Sequence, residues 1–342
     1  MKKHRLFVGL CLAMLCCLQA CNNSENTQNT QNTSSTPPLV LQPTPDFNAD
    51  SAYAFIERQV AFGPRVPNTA AHRRCGEYLS QTLRGYGWEV MEQSFEARAY
   101  DSTLLQGRNI IASYNPQAAK RILLAAHWDT RHVADKDSVR KNEPFDGAND
   151  GGSGVGVLLE IARILGTVDT SLSNVGVDII LFDLEDYGYP ENYEGQQTME
   201  SWCLGSQYWA KNKHRDNYSA YYGILLDMVG AKGARFYREG HSMQFAAGIT
   251  QKVWGIAARL GYSSVFVNQQ SPGIMDDHYY VNKIAKIPMI DIVEFNPEDG
   301  RSYFGHYHHT HADNMSIIDT ATLKAVGQTV LQVIFNEAAP AS

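Results

Sequence analysis

The chain has 342 residues, 44% of them hydrophobic, and a formal net charge of −7 at pH 7. That is enough apolar material for one large domain with its own core. The mildly acidic balance argues against nucleic acid as a partner, which would call for a basic face.

Lys2, Lys3 and Arg5 precede the apolar run 6–20. This is the charge and length of a secretory signal, and it is too short for a comfortable membrane span. Leu18-Gln19-Ala20-Cys21 resembles the bacterial lipobox, in which the cysteine is lipidated and becomes the new N-terminus. The expected location is therefore periplasmic, with a lipid anchor at Cys21 in the outer membrane. Residues 22–45 are rich in Asn, Thr, Gln, Ser and Pro, with little to bury, and read as a solvated tether. The chain thus divides into a signal (1–20), a lipidated cysteine with linker (21–46) and one body (47–342). Four of the six cysteines fall in the signal and anchor, which leaves Cys75 and Cys203. They read as two independent buried thiols.

Along the body, helical spacing marks 48–62 and 68–83, and the second stretch stops at Gly85 and Gly87. Residues 88–99 alternate like a half-buried strand, and 107–114 and 121–126 are short aliphatic strands. A polar loop, 132–145, leads to a glycine-rich turn and the helix 155–165. Then follow a strand (175–182), a loop (187–202), a helix (205–212), a strand (220–228), a helix (244–260), a strand after Pro288 (289–293) and a closing helix (317–336). Strands alternating with helices give an α/β fold, a three-layer α/β/α sandwich around a mixed, mostly parallel sheet. Acids and His127 gather where strands end, the usual edge for a site.

Gly147-Ala148-Asn149-Asp150-Gly151-Gly152-Ser153-Gly154 sets a carboxylate in a run of glycines, with room beside it for an ion. Glu185 and Asp186 follow the buried run 179–182, where unpaired charge is expensive. With one histidine of His308-His309-Thr310-His311, such nitrogen and oxygen donors suit zinc. Three such protein ligands, among them Asp150 and Asp186, would leave a fourth position open for substrate.

The set His127-Trp128-Asp129, Gly147-Ala148-Asn149-Asp150, Leu184-Glu185-Asp186, Leu226-Asp227-Met228-Val229-Gly230 and His309-Thr310 resembles the zinc-aminopeptidase superfamily. With Asp276-Asp277-His278 it is more similar to the animal-type glutaminyl cyclases, which also occur as bacterial lipoproteins, and Phe62-Gly63-Pro64-Arg65-Val66-Pro67 resembles that bacterial branch. The resemblance runs in order through nearly the whole body. It implies one zinc per chain on Asp150, Asp186 and His309, and a general acid/base at Glu185. It also implies a hydrogen-bonded acid pair at Asp227 and Asp276, and a substrate pocket walled by Ile274, Phe304 and Trp202. Where animal members have two glutamates, this chain has Glu185-Asp186. Asp291 stands in place of a histidine, and His308 in place of a tryptophan.

The implied enzyme cyclises the N-terminal glutamine of peptides and proteins to pyroglutamate with loss of ammonia, and acts as a monomer. A rival is a two-zinc aminopeptidase, in which His127 and Asp227 hold the second metal and Glu185 activates a bridging water. A third reading, a non-catalytic peptide-binding lipoprotein, sits poorly with an intact ligand set and Glu185.

Overall fold

The computed structural model describes residues 40–167, 172, 174–298 and 303–339. The signal, Cys21 and most of the tether lie outside them. Residues 40–46, read from sequence as tether, lie along the last helix. Asn336 Nδ2 donates to the Val40 carbonyl, Gln332 Nε2 to that of Gln42 and Gln328 Nε2 to that of Pro45, at 3.0, 2.8 and 3.0 Å. Three amides spaced four residues apart share one helix face. They take up the backbone of a segment whose own side chains offer no such signal.

The strands are β1 (Glu89–Arg98), β2 (Leu104–Tyr114), β3 (Lys120–His127), β4 (Val175–Phe182), β5 (Tyr222–Asp227), β6 (Phe236–Arg238), β7 (Phe266–Gln270) and β8 (Met289–Val293). Six form the central sheet, in the order β1-β2-β4-β3-β5-β8. Only β2 runs against its neighbours; β4, β3, β5 and β8 are parallel. The helices are α1 (Ala49–Val60), α2 (Ala70–Gly85), α3 (Gly152–Thr167), α4 (Leu204–Lys211), α5 (Gly240–Arg259), α6 (Asp277–Tyr280) and α7 (Thr320–Ala338). A π-helical turn, Val281–Ala285, continues α6.

Strand residues alternate between two apolar layers. Leu124, Ala126, Ile179, Leu181, Ile224 and Leu226 pack with α1, α2, α3, α5 and α7. Leu123, Ala125, Ile180, Phe182 and Leu225 meet Trp209 of α4 and Val281 and Ala285 of the π turn. This is the expected three-layer sandwich. Residues covered on both faces explain why 122–126 and 175–182 are unbroken apolar runs. Helix α3 is apolar on nearly every side because it is buried on nearly every side.

The parallel strands finish together: His127 pairs with Phe182, and Asp227 with Val293. His127, Asp227 and the acids after Phe182 therefore emerge on one edge of the sheet. Helix α3 runs so close beneath it that a Cβ at Gly154 would come within 2.2 Å of the Leu226 carbonyl oxygen. The β6–β7 pair and α6 are too short to have left a readable period in the sequence. No helix among the described residues is long and apolar enough to cross a membrane.

Candidate active site and metal centre

Asp150 sits in the turn before α3, Asp186 just beyond β4, and His309 on the loop before α7. His309 Nε2 lies 3.3 Å from Asp186 Oδ1 and 3.7 Å from Asp150 Oδ2. Donors about 2.0–2.2 Å from a tetrahedral zinc stand about 3.3–3.6 Å apart, close to both distances; donor atoms of Asp150, His308 and His309, and of His127, Asp150 and Asp227, also lie within 4.8 Å of one another. Asp135 Oδ1 faces His309 Nδ1 at 3.4 Å, which turns Nε2 toward the two acids. Asp186 Oδ2 is buried with no hydrogen-bond partner, an oxygen that a cation would satisfy.

The backbone that carries these ligands is tied from below. The Asp313 carboxylate accepts the N–H groups of Asn149 and Asp150, at 2.7 and 3.0 Å. Asp129, fully buried at the end of β3, accepts those of Glu185 and Asp186, at 3.0 and 3.2 Å. Gly151 takes φ +78°, and a Cβ there would meet the Asp129 carbonyl oxygen at 2.4 Å. Leu184 and His309 adopt left-handed φ of 57° and 58° although neither is glycine. Such strain costs about 1–3 kcal/mol and persists where surrounding bonds over-determine it.

Burial opposes ionisation of Asp150, but His127, His309 and Arg131 hold its carboxyl below the usual range. Asp186 moves the other way: burial and the charge of Asp150 raise it, against His309 and Arg131. Bringing these two acids together leaves negative charge that calls for a metal. His127 Nε2 stands 3.1 Å from Asp150 Oδ1 and 3.2 Å from Asp227 Oδ1. Burial, partly countered by His127, lifts Asp227 to about 7.

Arg131 is a support that no motif announced. Its fully buried guanidinium forms a fork with both oxygens of Asp135, at 2.9 Å each, and donates to the carbonyls of Asp186, Gly188 and Tyr189. It also lies 4.7 Å from the centre of the Trp202 ring. One cation thus fixes the carboxylate that orients His309, the backbone of Asp186 and the indole wall. Lysine offers no planar fork. Arg131→Lys is expected to weaken zinc binding about 10–100-fold, as removal of outer-shell partners does. Chelator competition measures this; unchanged affinity would deny Arg131 that role.

Glu185 lies at the pocket floor, where its Oε1 accepts from the Cys203 thiol at 3.1 Å. Burial, with Asp186, Asp276 and Asp277 nearby, pushes its carboxyl well above the usual range despite His127. Cys75 and Cys203 are both free and buried.

The acid pair expected at Asp227 and Asp276 stands beside a third acid, Asp291 of β8: the charge of Asp276 acts on both Asp227 and Asp291. Burial, then the charges of Asp276 and Asp227, raise Asp291 well above the carboxylate range. Beyond it, His278 Nδ1 is 3.6 Å from Asp291 Oδ2, and His278 Nε2 is 3.0 Å from Glu239 Oε2. Glu239 Oε1 in turn accepts the Ile274 N–H at 3.0 Å, which fixes a pocket wall. Asp276 also caps α6, accepting the Asp277 N–H. Capping and a place in the site coexist.

Every residue assigned to the site from sequence lines one cavity of ≈ 480 Å³: Asp150, Glu185, Asp186, Trp202, Asp227, Ile274, Asp276, Phe304 and His309. Trp202 lies parallel to His309, within 5° and 6.2 Å between ring centres. Phe304 packs on His308 at 4.3 Å, and His308 on His309 at 3.7 Å. Burial, with His309, Lys136 and Arg131 nearby, holds His308 well below the ordinary imidazole value. The arrangement offers carboxylate and imidazole donors, a raised carboxyl at Glu185 and further buried acids beside apolar walls.

A model of peptidase family M28 matches residues 109–334. Glutaminyl-peptide cyclotransferase of Drosophila melanogaster is 26% identical over 282 residues, 76% of this chain and 73% of that protein. Among solved structures, a Zn-dependent exopeptidase from Parabacteroides distasonis is 53% identical with a TM-score of 0.83, covering 86% of this chain and 100% of that one. Bacteroides thetaiotaomicron glutaminyl cyclase, solved with N-acetylhistamine, is 50% identical with a TM-score of 0.83, covering 86% and 99%. This chain belongs to peptidase family M28, among relatives that include glutaminyl cyclases.

Proposed function

We propose that this protein is a zinc-dependent glutaminyl cyclase, which closes the N-terminal glutamine of peptides and proteins into pyroglutamate and releases ammonia. The observation that carries the reading is one cavity that gathers Asp150, Asp186, His309, Glu185, Asp227 and Asp276, in a chain half-identical to a solved glutaminyl cyclase.

Zinc held by Asp150, Asp186 and His309 would supply a Lewis acid for the γ-carbonyl. The α-amine of the substrate is the nucleophile, so the protein's main task is to fold the side chain back toward it. Trp202, Ile274 and Phe304 confine that fold, and positioning of this kind removes several kcal/mol of barrier. Glu185 takes a proton from the amine as the N–C bond forms. It returns that proton to the amide nitrogen as the C–N bond breaks and ammonia leaves. Asp227 and Asp276 hold the amine beside the buried Asp291.

We propose a single zinc per chain, as the cyclase reading implies. His127 Nε2, 3.1 Å from Asp150 and 3.2 Å from Asp227, marks where the second ion of the rival reading would sit. Metal analysis of the active protein should find one tightly held zinc. Two tightly held ions, both needed for turnover, would favour the two-zinc aminopeptidase instead.

We place the enzyme in the periplasm as a monomer, tethered to the outer membrane by a lipid on Cys21. Intact-mass analysis of membrane-extracted protein is expected to find acyl mass on that residue, and Cys21→Ser to yield soluble enzyme. An unlipidated N-terminus elsewhere would remove the anchor.

A further inference from the structure

His308 is next in sequence to a metal ligand and faces the same cavity, so it is either a further ligand or something else. Its ring nitrogens decide between the two. Lys136 Nζ lies 2.7 Å from His308 Nδ1. An ammonium can only donate, so Nδ1 must accept, and the ring proton is forced onto Nε2. A protonated nitrogen has no lone pair for a metal. His308 Nε2 is 3.9 Å from Asp150 Oδ2, beyond hydrogen-bonding range, so that N–H is left for a group entering the cavity.

The ring is held in this pose on both faces. Phe304 packs against it at 4.3 Å and His309 at 3.7 Å, and the residue is 8% exposed. Lys136 is itself held beside Glu191, with Nζ 4.0 Å from Oε1. The lysine, like the histidine, lines the cavity.

We infer that His308 is a catalytic hydrogen-bond donor whose tautomer is locked by Lys136, and that its Nε2–H meets the γ-carbonyl oxygen of the substrate as negative charge develops there. The inference rests on the cyclase reading for its substrate, but the locked tautomer does not. A preorganised donor aimed at such an oxygen is a recurrent source of rate, and losing one costs about 10²–10³ in kcat.

Removal of the donor, its replacement and release of the lock test this together. His308→Phe keeps the stacking ring and deletes the N–H. It is expected to lose about 10²-fold in kcat with little change in KM, and to bind zinc as tightly as wild type by chelator competition. His308→Gln, which restores an N–H near the same place, should recover at least about tenfold of that loss. In ¹⁵N spectra of the zinc-loaded wild type, the His308 ring should be protonated at Nε2 alone, and Lys136→Met should let the other tautomer appear. Near-normal turnover by His308→Phe, weakened zinc binding in that variant, no recovery by His308→Gln, or an Nδ1–H tautomer in the wild type would each overturn the inference. If wild type makes no pyroglutamate, the cyclase reading fails, while the zinc and tautomer measurements still judge the assignment of His308.

Discussion

Glu185→Gln is expected to lower cyclisation by about 10²–10⁴-fold, the usual worth of a general acid/base group, while the zinc stays bound. The substitution is nearly isosteric and keeps an oxygen that can accept from the Cys203 thiol 3.1 Å away. The Glu185 backbone N–H, which anchors the segment on Asp129, is untouched. What is lost is the ability to accept a proton from the amine and hand it to the departing nitrogen. Burial already pushes the Glu185 carboxyl well above its usual range, toward the region where a group both takes and gives a proton readily. Single-turnover rates alongside metal analysis separate the two effects. Normal turnover would take Glu185 out of the reaction, and loss of zinc would make it a ligand.

Asp276 carries the second large effect, and its two jobs can be separated. Its carboxylate caps α6 through the Asp277 N–H and also lines the cavity. Asparagine is as good a cap as aspartate, but it offers no carboxylate to hold the substrate amine. Asp276→Asn is therefore expected to keep the fold and lose about 10²-fold or more in kcat. Asp276→Ala should match that loss and also fall by about 1 kcal/mol in stability, the worth of the cap. Urea unfolding and kcat, measured on both variants, give the comparison. An Asn variant that cyclises normally would leave Asp276 as a helix cap alone.

Much of the candidate site was legible in the sequence because its acids and His127 sit at the ends of strongly patterned elements. The apolar runs before His127, Glu185 and Asp227 mark parallel strands buried on both faces, and their ends must share one edge. The glycines around Asp150 mark a turn that tolerates no side chain at position 151. The supports were not legible in the same way. Arg131 and Asp135 lie in a polar loop with no period, and their meaning depends on His309, far along the chain. Cys203 reaches Glu185 through a loop whose course no local rule dictates. Asp291 reads as one more residue of a buried strand, so the sequence did not show that it lies in one group of acids with Asp227 and Asp276. Residues 40–46 look solvated by composition, yet α7 holds their backbone.

The most direct measurement weighs the products formed when purified, zinc-loaded protein meets two peptides that differ only in beginning with glutamine or alanine. The expected result is loss of one ammonia from the glutamine peptide and an unchanged alanine peptide. Release of the N-terminal residue from either peptide, with no cyclised product, would contradict the proposed reaction and leave an aminopeptidase in its place.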